Sequence, residues 1–95
     1  DSQPSGGRFD GALGVLAGLE VMRTLRDLDL VTEAPIELVN WTDEEGSRFG
    51  PSLLGSGAWA GVYPHDKVYA LRDTDGISVA EALDGIDCRG PHPAA

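Results

Sequence analysis

The densest chemistry in the chain is Trp41-Thr42-Asp43-Glu44-Glu45-Gly46-Ser47-Arg48-Phe49-Gly50, where three adjacent carboxylates run into a glycine and an Arg-Phe-Gly segment. Adjacent carboxylates repel one another, so something must offset the repulsion. A divalent cation can do so, because hard and borderline ions take oxygen ligands. A helix start can do so as well. Thr42 and Glu45 stand in T-x-x-E register, which closes a capping box and places acids at the favourable end of a helix dipole. On these residues alone both readings stand.

A second candidate lies upstream, in Ser5-Gly6-Gly7-Arg8-Phe9-Asp10-Gly11. A phosphate-cradling loop is one reading of its glycines. It lacks both G-x-x-x-x-G-K-[ST] and G-x-G-x-x-G, and Asp10 stands where the anion would go. The other reading makes Asp10 itself a ligand at a helix start, where its charge is favoured. Asp10 in a loop and a Glu pair elsewhere then make a carboxylate-rich metal site.

Other chemistry-bearing residues carry less. Arg8 and Arg48 suit bidentate recognition of a substrate carboxylate, but structural pairing with the acids is the favoured reading. Asp43 is expected to support the site or to be a surface acid. Phe9 and Trp41 are expected to pack in a core, and Pro51 to Ser56 to close over the site. His65 and His92 sit in Pro-containing loops without metal-ligand spacing, and Cys88 has no thiol partner.

These groups must be held by one small domain, since the chain has 95 residues. Seven basic against sixteen acidic residues leave a net charge of −9, which disfavours nucleic-acid and anionic-membrane partners. A single cysteine forbids an internal disulfide, and no apolar run is long enough to span a bilayer. The abrupt start at Asp1, with neither an initiator Met nor a signal peptide, suggests a fragment or a processed piece of a cytoplasmic protein.

The pattern places a long helix from Asp10 or Gly11, buried early and exposed late, with Gly11, Gly14 and Gly18 allowing close approach of a neighbour. A buried strand is expected over Ile36 to Trp41 after Pro35, a small-residue helix over Ser52 to Ala60, and a weak strand over Lys67 to Leu71. A last helix over Ser78 to Leu83 carries a Ser78/Glu81 capping box and stops at Gly85. Residues 1–90 thus read as part of one domain that holds the carboxylate-rich metal site and 91–95 as a frayed tail. The fold class is α/β: a partial α/β/α layered domain missing most of its sheet strands.

Taken together, D-S-Q-P-S-G-G-R-F-D-G-A-L-G-V-L-A-G-L-E followed by P-I-E-L-V-N-W-T-D-E-E-G-S-R-F-G-P-S-L-L-G-S closely resembles the N-carbamoyl-L-amino-acid hydrolase group. That group includes β-ureidopropionases and allantoate amidohydrolases, within the dimetal aminoacylase/carboxypeptidase clan. The resemblance covers most of residues 1–61. Peptidase and deacetylase branches carry a G-R-G-x-x-D-M-K-G-like first motif, whereas Gly6 to Gly11 looks like the carbamoylase branch.

The resemblance implies roles. Asp10 matches the carboxylate bridging two metals, with its peptide to Gly11 cis. Glu45 matches a ligand of one metal and Glu44 the general base acting on a metal-bridged water. Asp1 matches an aspartate that orients a metal-binding histidine. The group's histidine ligands fall outside this chain, leaving Asp10 and Glu45 as its metal donors. The implied cofactors are two divalent ions, zinc by default, with manganese, cobalt or nickel as alternatives. The implied reaction is hydrolysis of the carbamoyl or ureido C–N bond of an N-carbamoyl-L-amino acid or similar ureido acid by a homodimeric enzyme. The chain alone is expected to be inactive. The rival readings are a non-catalytic structural or interaction segment, and a related aminoacylase or peptidase.

Overall fold

The structure is a computed structural model and describes residues 5–92. Four helices follow one another: α1 (Ala12–Asp27), α2 (Leu54–Trp59), α3 (His65–Ala70) and α4 (Val79–Gly85). The chain divides into two compact units, Asp1–Asn40 and Trp41–Ala95.

In the first unit α1 starts after Gly11, whose φ of 70° lies in the left-handed region that glycine tolerates. Arg26 in the last turn suits the negative end of the helix dipole. The expectation of an early buried half is not met: α1 has no buried residue, and Leu13, Leu16 and Leu19 are exposed. The anticipated close approach occurs at Gly18, where a Cβ would come within 2.5 Å of the Leu38 side chain, while Gly14 meets nothing. Phe9, expected in a core, is 67% exposed.

The expected strand over Ile36 to Trp41 does not form. A strand needs a partner for its N–H and C=O groups, and among the described residues the β-pairing is an isolated Arg72–Ser78 antiparallel bridge. Ile36, Leu38 and Val39 accordingly stay exposed.

In the second unit α3 packs against both α2 and α4. Leu54, Ala58, Val68 and Val79 form the core, flanked by Phe49, Tyr63, Tyr69, Leu71 and Leu83. The weak strand expected over 67–71 is instead α3. Pro64 has extended ψ and fixed φ, Asp66 sits in the first turn and Lys67 in the last, all favouring a helix there. The helix expected at 52–60 is realised as α2, and α4 carries the expected capping box. Ser78 Oγ accepts from the Glu81 N–H, and Glu81 Oε2 accepts from the Ser78 N–H at 2.8 Å. Asp1 and the last residues of the expected tail, 93–95, lie outside the described residues.

Candidate functional site

The capping-box reading of Thr42 and Glu45 fails, because no helix starts there; residues 42–53 form turns and bends. Asp43 at φ 50° and Gly46 at φ 67° are left-handed, which a right-handed first turn cannot accommodate. The acidic stretch is instead fastened to the start of α2. The Gly55 N–H donates to the Thr42 carbonyl at 2.9 Å, Leu54 to Asp43 at 3.3 Å, and Leu53 to Glu44 at 2.6 Å. Amides at a helix start lack helical partners, and α2 has no side-chain cap. Backbone carbonyls of the acidic turn fill that role.

Two glycines permit the approach. A Cβ on Gly55 would stand 2.9 Å from both the N and the O of Thr42, and one on Gly46 would stand 2.5 Å from the Ser52 N. Trp41 and Trp59 then close the start of the turn onto the end of α2, with ring centroids 6.0 Å apart and planes tilted by 60°.

Within this frame Asp43 is buried, Glu44 half-buried and Glu45 exposed. Asp43 Oδ1 accepts from the Arg48 N–H at 3.4 Å. Its Oδ2 is buried and finds no hydrogen-bond partner among the described residues. Arg48 resolves toward the structural reading. Its Nε donates to Asp73 Oδ2 at 2.9 Å, and its guanidinium lies 4.9 Å from the Phe49 ring centroid.

Asp73 also accepts the N–H groups of Asp75 and Ile77 through Oδ1. Burial pushes its pKa up, but the Ile77 amide, the Arg48 side chain and the Asp75 amide outweigh burial and hold it below the ordinary 3.8. Glu81 is likewise held below 4.5, chiefly by the amide and hydroxyl of Ser78, with Arg72 assisting.

Asp10 belongs to the other unit. It is exposed, one residue before Gly11, with its N–H on the Gly7 carbonyl and its carbonyl accepting from Ala12. The Asp10–Gly11 peptide is not cis; the cis bond among the described residues is Gly50–Pro51. His65 Nε2 lies 3.0 Å from the Ala58 carbonyl, so that nitrogen is a donor tying α3 to α2. His92 and Cys88 are exposed. Among the described residues no group of three or more His, Cys, Asp or Glu is gathered to hold a metal. The oxygen donors suit a divalent ion in kind, but these residues do not complete a site by themselves. What sequence reasoning missed is Asp73; its Asp-x-x-Gly turn gives no hint of a partner 25 residues upstream.

The chain belongs to Peptidase family M20/M25/M40, whose model matches residues 3–86. More particularly, it is 50% identical over 90 residues to an N-carbamoyl-L-amino-acid amidohydrolase of Rhizobium meliloti, covering 95% of this chain and 22% of that protein. It is 52% identical over 83 residues to an N-carbamoyl-L-amino acid amidohydrolase of Geobacillus stearothermophilus, covering 87% of this chain and 20% of the relative. A crystal structure of a hydantoinase/carbamoylase family amidase from Burkholderia ambifaria matches with a TM-score of 0.93 and 54% identity, over 98% of this chain and 23% of that one. The chain therefore spans about a fifth of the length of the curated relatives it matches.

Proposed function

We propose that this chain is part of the catalytic domain of a metal-dependent amidohydrolase acting on the carbamoyl or ureido C–N bond of N-carbamoyl-L-amino acids or related ureido acids. The observation that carries the reading is the fastening of Thr42, Asp43 and Glu44 to the first amides of α2. It fixes the backbone leading into the Glu44–Glu45 pair, which supports a site with separate base and ligand. The names of the relatives supply the substrate class.

In this reading residues 1–90 belong to one layered α/β catalytic domain whose sheet is completed by strands beyond this chain. Asp10 and Glu45 are the metal donors the chain contributes, and Asp1 orients a histidine ligand. Two divalent ions, zinc by default, would polarise the scissile carbonyl and acidify water when bound. Glu44 stays off the metal. It takes the proton of the attacking water and returns it to the departing nitrogen, which must leave protonated because an amide anion is a poor leaving group. Glu44 is half-buried and Glu45 exposed, so the two carboxylates stand in different surroundings and can take different roles. The parent enzyme is read as a cytoplasmic homodimer taking a small-molecule substrate.

The test is a pair of substitutions in the complete protein that carries this segment. Glu44→Gln should keep metal content and lose turnover by about 10²–10⁴-fold, the usual contribution of a positioned acid–base group. Glu45→Gln should lose metal. The reverse pattern would exchange the two roles, and near-native turnover in Glu44→Gln would remove Glu44 as the base.

A further inference from the structure

We infer that Asp73, in the turn between α3 and α4, is a positioning residue for the Glu44–Glu45 turn and acts through Arg48. The inference rests on the reading of Glu44 and Glu45 as the working carboxylates. Its geometry lies wholly within the second unit.

Arg48 is held at both ends. Its backbone N–H donates to the buried Asp43 Oδ1 at 3.4 Å, and its side-chain Nε donates to Asp73 Oδ2 at 2.9 Å. Asp73 is itself fixed. Its side chain is 6% exposed, and its other oxygen accepts the N–H groups of Asp75 at 3.1 Å and Ile77 at 2.9 Å. The Asp73 N–H in turn donates to the Ile77 carbonyl at 3.0 Å. The 73–77 turn is thus a rigid anchor independent of Arg48.

The acidic turn needs that anchor. From Thr42 to Glu44 it is tied to α2 by backbone hydrogen bonds, but these stop at Glu44. Beyond Glu44 the chain passes through left-handed Gly46, and the Arg48 contacts hold the far side of the turn. The Glu44–Glu45 turn is thus held on one side by α2 and on the other through Arg48, so the course of its backbone depends on both. A charge-assisted pair to a buried carboxylate is stronger and more directional than a neutral bond. The guanidinium over Phe49 limits its remaining freedom.

Asp73→Asn isolates the contact. The Asn carbonyl oxygen still accepts from Asp75 and Ile77, while its amide turns an N–H toward Arg48 and breaks the pair. Hydrogen exchange and kinetics of the complete protein are read on Asp73→Asn, Arg48→Met and the double variant, beside Glu44→Gln. Exchange should accelerate at Gly46, Ser47 and Arg48 and stay unchanged at Ile77. The kcat should fall about 10–100-fold, the size of effect that small misplacement of a reacting group produces, with KM and metal content held. The double variant should be no worse than Arg48→Met alone.

Unchanged exchange at Gly46 to Arg48 in Asp73→Asn overturns the inference, as does unchanged kcat where Glu44→Gln is inactive. Fully additive losses in the double variant overturn the route through Arg48. If Glu44→Gln keeps its turnover, the base assignment fails separately. Exchange then decides the anchoring: acceleration supports it and none overturns it.

Discussion

Gly55 and Gly46 differ from Gly14 in what stands where a side chain would begin, and Gly55 and Gly14 carry opposite forecasts. At Gly55 and Gly46 a Cβ would run into backbone, at Thr42 and at Pro51–Ser52 respectively. Backbone cannot swing aside as a flexible side chain can, so Gly55→Ala should destabilise the second unit by about 1–3 kcal/mol, the usual cost of overpacking. Gly14 lies within α1 with open space around it. Gly14→Ala should instead stabilise the helix, by about 0.5–1 kcal/mol, through helix propensity. Urea unfolding of the matched pair reads both signs. The sequence makes the acids at 43–45 conspicuous, but not the burial of Asp43 or its bond to Arg48. Those follow from left-handed backbone at Asp43 and Gly46, and a run of acids followed by glycine fits a helix cap as well as a turn.

At the scale of elements, legibility tracks how local the determining forces are. The α4 helix is readable because Ser78 and Glu81 satisfy each other's amides within one turn. The α3 helix is misread as a strand because its determinants, Pro64 before it and Asp66 at its start, are weaker signals than the apolar run that follows. The expected strand at 36–41 fails for the opposite reason: strands are settled by partners, which local sequence does not supply. The capped turn and helix also fix a pH response. Asp73 and Glu81 both have folded pKa values below their ordinary 3.8 and 4.5. Protons therefore bind the unfolded chain more readily. Their stabilisation is fully present above those ordinary values and is lost as pH falls through them and then through the lower folded values. The melting temperature should drop across that acid range and drop less steeply in an Asp73→Asn, Glu81→Gln double variant. Ser78→Ala should cost about 1 kcal/mol at neutral pH by removing the cap. Equal acid sensitivity in native and double-variant proteins would assign the loss to other groups.

For the molecule as a whole, the family was legible where the layered fold was not. Two motifs with distinctive residues, around Asp10 and around Glu44–Glu45, identify a family without a sheet among the described residues, whereas a layered fold depends on strands pairing over long stretches of sequence. The same asymmetry sets the expectation for this 95-residue chain on its own. Among the described residues only Leu54, Ala58, Val68 and Val79 are buried apolar side chains, while Phe9, Leu13, Leu16, Val31 and Ile86 are each more than half exposed. Exposed apolar area on that scale marks surfaces that other polypeptide normally covers, so the isolated chain should self-associate. Its metal binding should be weak as well. Catalytic zinc sites ordinarily have three protein ligands, and no group of three donors is gathered among the described residues. Carboxylates without imidazoles favour hard ions over zinc and hold either loosely. Calorimetric titration of the purified chain with zinc should therefore show only weak uptake, and N-carbamoyl-L-amino acids should not be hydrolysed. Hydrolysis by the purified chain that a chelator abolishes and added metal restores would mean that these residues complete a working site after all.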